Sequence, residues 1–483
     1  MPAVNEATIR LSKSAKIRRI AAVALLLGFS VAALVPCLWH KNVINGDLGS
    51  HLYNAWLAIG VERGEYPGLY FERVHTNVLF DILLTRLVSS FRPAIAERLA
   101  LSTSVLIFFW GTFAAVRALS GERAWAVTPL IFILTHGWAL QVGFMNFYLS
   151  TGIALFALAL LWNPSVTRAV FSCLLLALAV MAQPLPALWV TLAIVYKTLY
   201  MWAERHRTRL LLAAIGISAL CAVAIRAGWF PIISRTTGWQ IGQLRYATGA
   251  DQALAYGPEY ELVAVSLLAL SGIVLAQHWR REGQVCSNNL VAHLWILLAA
   301  GTFLVPDGIL FRGYVAGYYF ISQRISALLA VVGIAAIAAE RPQPRVVLAF
   351  ALVAALFFAM LYRDTGRLNI IQSEFNDIVQ RYPPGQRFVT DLNDWHSKSQ
   401  ASFLQSMLGR ACATRCLDYS NYEVSSRQFR IRARGPNPFV RTDLNRNPVE
   451  EFRLTNPELP LNEIAWCMPA SDELCVREIP PAP

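Results

Sequence analysis

Charge is what this 483-residue chain has least of: 15% of its side chains are charged, against 56% hydrophobic, and the mean hydropathy is +0.45. A soluble protein of this length carries about a quarter charged residues, so a soluble globular fold is excluded. No phosphate-cradling glycine loop, Gly-x-Ser-x-Gly, His-Glu-x-x-His or dinucleotide fingerprint occurs, which argues against a soluble nucleotide-linked substrate. No internal repeat is visible, and repeats are what many transporters are built from. The formal charge of +12 invites a nucleic-acid reading. The basic residues, however, sit in short clusters between apolar runs, where they orient membrane helices rather than bind DNA.

What is present is a series of apolar runs long enough to cross a bilayer. They cover 20–39, 78–91, 95–116, 124–140, 147–162, 169–182, 185–202, 210–227, 262–277, 290–305, 321–339 and 346–361. Arg10, Lys13, Lys16, Arg18 and Arg19 precede the first run. No small-x-small cleavage site follows it, so it reads as an uncleaved helix with residues 1–19 in the cytoplasm. Basic clusters then fall at Arg117/Arg123, Arg168, Arg205/Arg207/Arg209, Arg280/Arg281 and Arg341/Arg345. If every run crossed, these clusters would all face away from the cytoplasm. If 78–91 does not cross, they all face it. That run reaches only about 21 Å against a hydrocarbon core of roughly 30 Å, and it carries Asp81 and Arg86. The fold expected is therefore an all-α polytopic membrane protein of about eleven spans over 20–362. An outer loop at 40–94 carries juxtamembrane helices, and a small extracytoplasmic α/β domain occupies 363–483.

Beyond Tyr362 the composition changes. Residues 367–382 have amphipathic helical spacing, Pro383-Pro384-Gly385 ends it, and Arg387-Phe388-Val389-Thr390 reads as a strand ahead of a proline-rich, poorly ordered tail. Cys37, Cys173 and Cys221 fall in spans and Cys286 in a cytoplasmic loop. Cys412, Cys416, Cys467 and Cys475 all fall in the outer domain, where two disulfides are expected, with three pairings possible. Zinc is the alternative, but the cysteine spacing fits a zinc ribbon loosely.

The first outer loop opens with Asn45-Gly46-Asp47-Leu48-Gly49-Ser50-His51-Leu52-Tyr53-Asn54-Ala55-Trp56. As a helix it has an apolar stripe through Leu48, Leu52, Ala55, Trp56 and Ile59, with Asp47, His51 and Asn54 on the other face. Such a helix is expected to lie flat on the bilayer, Trp56 and Tyr53 at headgroup depth and its acidic face toward water. Asp47 with His51 is the best catalytic candidate, the carboxylate taking a proton from an acceptor. The alternative is that Asp47 caps the helix. An i, i+4 Asp/His pair can also offer two ligands to a divalent metal ion, which stays open as a cofactor. Arg312 and Arg324 flank an aromatic stretch and suit a lipid phosphate, because the guanidinium fork bonds it bidentately. His136 and Asn146 bracket another outward turn and, with Asn54, are candidates to bind substrate.

This layout resembles the integral-membrane GT-C glycosyltransferases, over roughly residues 15–362. The resemblance implies a sugar transferred from a polyprenyl-phosphate donor to an envelope glycan, lipid or protein acceptor at the outer face of the bacterial inner membrane. Asp47, in Gly46-Asp47-Leu48, stands at the family's first acidic position. Arg324 stands roughly where related enzymes place a phosphate-binding arginine. Where many members have a second Asp, this chain reads Phe144-Met145-Asn146. Two rivals remain at this stage: a transporter or lipid flippase, and a non-catalytic assembly protein with the same fold.

Overall fold

The computed structural model describes residues 3–481, apart from 122–123, 240, 283–288, 391, 393–402 and 469–472. Arg123 and Cys286 lie outside the described residues.

The first helix, α1 (Ala3–Leu38), includes the expected span, and only 11% of its apolar stretch is covered by the rest of the protein. Helices with bare apolar sides recur along the chain: Val166 is 84% exposed and Trp202 90%. Exposed apolar surface on this scale needs a lipid solvent, and a helix suits lipid because all its backbone bonds are internal. After α1 come α2 (Leu48–Glu62), β1 (Leu69–Phe71), α3 (Leu79–Ser90) and α4 (Pro93–Ser120). The run at 124–140 is not one helix. A 3-10 turn leads into α5 (Thr128–Thr135), the chain breaks at His136-Gly137, and α6 (Trp138–Gln141) follows. The bundle continues through α7 (Met145–Trp162), α8 (Val166–Ala182), α9 (Pro184–Trp202) and α10 (Arg207–Arg226). Strand β2 (Ile233–Thr237), α11 (Glu261–Glu282), α12 (Leu290–Leu304), β3 (Gly308–Phe311), α13 (Ile321–Ala339) and α14 (Pro344–Gln380) complete it.

Among the described residues, eight helices are long and apolar enough to cross a membrane. The count of eleven reached from the sequence also includes α8 and α12, which are apolar but shorter, and the run broken at His136-Gly137. Helix α3, the segment judged too short to cross, has only 12 residues, about 18 Å.

The connections at one end of the bundle are tied together. Backbone bonds join Gly46 to Gln141 and Asp47 to Val142. Strands β2 and β3 pair antiparallel, and Gln183 bonds the Tyr318 hydroxyl. The C-terminal part is built onto this same end. Helix α14 runs 37 residues, about 55 Å, so it continues well past any bilayer. The compositional change at Tyr362 falls inside this helix and does not interrupt it. Beyond it lie β4 (Arg387–Thr390), α15 (Leu404–Cys412), β5 (Leu417–Asp418), α16 (Glu423–Ser426), β6 (Ile431–Ala433), α17 (Pro448–Thr455), β7 (Leu461–Trp466) and β8 (Leu474–Ile479). A mixed sheet has the order β5-β4-β7-β8, with β4 parallel to β5 and β7 and with β7 antiparallel to β8. The strand expected at Arg387–Thr390 is β4 itself, and the last strand runs to Ile479, up to the terminal prolines. The cysteines pair as Cys412–Cys416 and Cys467–Cys475.

This C-terminal part is not a detached domain. Strand β6 pairs with β1 of the first loop, from Leu69 opposite Ala433 to Phe71 opposite Ile431. Helix α15 lies directly on α2: a Cβ on Gly49 would come within 2.2 Å of the Ser406 carbonyl oxygen. A buried ion pair, Arg410 Nη2 to Glu97 at 2.7 Å, fastens α15 to α4.

Candidate functional site

The contact between α15 and α2 changes what α2 is. Rather than lying on a membrane with its polar face in water, α2 is buried on nearly every side, and Tyr53 is fully enclosed. Its polar face meets protein. Ser50 Oγ donates to Glu423 at 3.1 Å, Asn54 and Asn421 exchange amide hydrogen bonds, and the Asp418 N–H donates to the Tyr53 hydroxyl. Local amphipathicity shows that a face is polar. It does not show whether water or another chain segment satisfies it.

Asp47 sits at the N-cap position of α2, but its carboxylate makes no capping bond. It is held instead by the turn between α6 and α7. The Asp47 N–H donates to Val142 O at 3.1 Å, and Gly143, at φ +86°, has the backbone of Asp47 where a Cβ would stand, 2.3 Å from its nitrogen. Only glycine fits that conformation and that space. The carboxylate is thereby free to accept a hydrogen bond from Tyr422 and to feel the charges of His51 and Arg324. Burial raises its pKa above the ordinary aspartate value, an effect that His51, Tyr422 and Arg324 partly offset.

One turn along α2, His51 Nδ1 lies 2.7 Å from Asp81 Oδ1 and 3.9 Å from Glu423. Burial pulls the imidazole down, but Asp81, Glu423 and Asp47 more than offset it and raise it to about 9. Asp81 is its stable counter-ion. Burial raises that carboxyl, and the opposing pull of His51, Asn146 and Arg430 carries it below the ordinary value. Glu423 goes the other way, pushed by burial to about 8 although His51 draws it down. Three carboxylates around one imidazolium cannot all ionise easily, and the geometry separates them: Asp81 charged, Glu423 protonated near neutrality.

Arg324 begins α13. Its guanidinium is buried against the rings of Phe144, Tyr318 and Phe147, at 3.9, 4.6 and 5.2 Å from their centroids. Stacking on aromatic faces fixes the guanidinium plane while leaving its edge available for an anion.

The remaining candidates separate from this cluster. Asn146 is spent on support: its Nδ2 donates to Asp81 Oδ2 at 2.8 Å, and its Oδ1 accepts from the Phe80 N–H at 2.9 Å. Asn54 is taken up by Asn421 and Ser50. His136 is buried with Nε2 at 2.9 Å from Ala33 O on α1, and serves packing. Arg312 lies exposed just beyond β3, outside the cluster that holds Arg324. Asp81, Tyr422 and Glu423 are the partners that sequence reasoning missed. Asp81 had a signal, as a carboxylate inside an apolar run; Tyr422 and Glu423, at the start of α16 and some 370 residues from His51, had none. Among the described residues no group of three or more His, Cys, Asp or Glu is arranged to hold a metal ion. His51 Nδ1 is engaged by Asp81.

No protein-family model matches the sequence, and no curated protein matches it. The fold does have a match. Two crystal structures of ArnT from Cupriavidus metallidurans superpose with a TM-score of 0.51 each, at 12% sequence identity. The apo structure aligns over 93% of this chain and 94% of that one; the structure bound to undecaprenyl phosphate aligns over 92% and 93%. This chain has the fold of the ArnT structures. The likeness runs through the C-terminal part as well as the bundle, further than the resemblance read from the sequence. Within that fold, Asp47, His51 and Arg324 converge at the end of the bundle where the chain's longest connections gather.

Proposed function

We propose that this protein is a membrane glycosyltransferase of the GT-C kind. It transfers a sugar from a polyprenyl-phosphate donor to an acceptor at the outer face of a bacterial inner membrane, with the C-terminal part on that outer side. The observation that carries the reading is Asp47: a half-buried carboxylate at a helix N-terminus that does not cap the helix and faces Tyr422 and Arg324 instead.

The chemistry follows from those neighbours. Asp47 accepts the proton of an acceptor hydroxyl, and its raised pKa makes it a better proton acceptor than a solvated aspartate. The acceptor oxygen attacks the anomeric carbon as the bond from that carbon to the phosphate oxygen breaks. The electron pair leaves with the polyprenyl phosphate. Arg324, its plane fixed by three rings, binds that phosphate and stabilises the charge it gains. His51, kept protonated by Asp81, holds a positive charge beside Asp47 and limits how far burial raises it. A single displacement with one base inverts the anomeric configuration. Support for the donor comes from the fold shared with ArnT bound to undecaprenyl phosphate.

The test is binding of undecaprenyl phosphate to purified protein. Arg324→Gln is expected to weaken it by about ten- to a hundredfold, the loss of a charge-assisted bond, and Arg312→Gln to leave it unchanged. Equal affinity in the wild type and Arg324→Gln removes Arg324 from the donor site.

A further inference from the structure

A cavity of about 900 Å³ is lined in part by Val424 and Arg427, at α16. Its walls are the segment after β1, the loop after β3, and the segment from α16 through β6. Arg73, Arg427, Arg432 and Arg434 line it, with Tyr70 and Tyr314 among them. Four guanidinium groups around one cavity repel each other. Among the described residues none of them has a carboxylate within ion-pair distance. The one acidic side chain in the wall, Glu72, accepts the Arg73 backbone N–H at 3.2 Å and offsets part of the charge of Arg432, leaving the other three without a carboxylate. Arg432 is held in place by donating to Arg427 O, and Arg434 lies over the Tyr70 ring at 6.0 Å. Arg427 adopts a left-handed conformation, φ +59°, where a non-glycine residue is uncommon, and α16 ends there with its side chain turned out. A protein that gathers unpaired arginines in a cavity leaves the counter-charge to a ligand.

The geometry points to an anionic-glycan site in this cavity: the acceptor is a sugar chain bearing phosphate or carboxylate groups. Planar guanidinium forks match both anions bidentately, and half-exposed tyrosine rings offer faces on which sugar rings stack. Exposed Tyr314 and the rim arginines give the cavity the mixed aromatic and cationic lining that such a chain needs. Glu423 of α16 faces His51 while Val424 and Arg427 of the same short segment line the cavity, so the cavity and the Asp47 cluster share this segment. This assignment rests on the transferase reading for the word acceptor; the binding site itself does not depend on it.

The experiment measures binding to the full-length protein in detergent, by calorimetry, of hexagalacturonate, phosphorylated maltohexaose and neutral maltohexaose. At least one anionic oligosaccharide is expected to bind tenfold or more tightly than the neutral one, with affinity falling as salt rises. Which of the two binds tells whether carboxylate or phosphate is the group read. In the double variant Arg427→Gln/Arg434→Gln, both at exposed positions, that affinity is expected to drop about ten- to a hundredfold while undecaprenyl phosphate binding stays unchanged. Neutral and anionic chains binding alike, neither binding, or loss of undecaprenyl phosphate binding in the double variant overturns the assignment. Loss of sugar transfer in an Asp47 variant with glycan binding intact bears on the transferase reading alone.

Discussion

Asp81→Asn is the substitution whose consequence the structure constrains most. It removes one charge from a buried pair, His51 Nδ1 to Asp81 Oδ1 at 2.7 Å, and it turns one carboxylate oxygen into an amide facing either His51 or the Asn146 amide, both donors. Breaking a buried pair by deleting one partner costs about 3–5 kcal/mol when the remaining charge cannot escape. Here it can, because His51 loses its proton instead. The rise of His51 from 6.5 to about 9 corresponds to roughly 3 kcal/mol of preference for the protonated form, and that sets the scale of the loss. The pH dependence has a definite sign. A raised histidine contributes its full stability below 6.5 and loses it as pH rises through about 9; a lowered aspartate contributes above 3.8 and loses its share below that. Wild type and Asp81→Asn should therefore differ most between pH 5 and 6.5, by about 3 kcal/mol, and converge above pH 9. Denaturant unfolding in mixed micelles, followed by tryptophan fluorescence across that range, makes the measurement. A difference that is absent at pH 6, or equally large at pH 10, refutes the pairing and with it the charged state of His51.

Three further outcomes follow. Gly143→Ala places a methyl group against the Asp47 backbone at a positive φ, so transfer should fall sharply while the bundle still folds; activity within twofold of wild type would separate this turn from the site. Glu423, raised to about 8 from 4.5, contributes its full stability below pH 4.5 and loses it progressively as pH rises through about 8. Glu423→Gln should flatten the stability decline between pH 4.5 and 8, and an unchanged decline would assign it to other groups. Glu97→Gln, which leaves Arg410 buried against Gln372 without its charge partner, should cost about 3–5 kcal/mol and expose the C-terminal part to limited proteolysis; unaltered protease resistance would show that the pair does not fasten it.

Much of the fold was legible because membrane helices advertise themselves by length and composition alone. The shortness of 78–91, the strand at Arg387–Thr390 and the pairing of the four C-terminal cysteines all rest on local pattern, and the structure agrees with each. The break at His136-Gly137 was missed because hydropathy stays high through it. The site was legible only as far as it is local. Asp47 and His51 are one helical turn apart and stand out. Their setting is made by Asp81, by the turn at Gly143, by Arg324 and by the 418–430 segment, which meet only once the chain is folded. Polar side chains on α2 were read as facing water because a sequence does not display what covers them; here Asn421 and Glu423 do. Asp81 was read as an obstacle to crossing the membrane when the same expensive charge was also a sign of function.

Asp47→Asn tests the central claim most directly. The substitution keeps the side chain's shape and removes proton acceptance, and since Asp47 makes no capping bond, helix α2 loses nothing by it. General-base catalysis contributes about 10²- to 10⁴-fold, so sugar transfer from a polyprenyl-phosphate donor in membranes should fall by that factor, with undecaprenyl phosphate binding and thermal stability at wild-type levels. Transfer at the wild-type rate in Asp47→Asn, or a protein whose sole activity is to move the lipid between leaflets, would contradict the account.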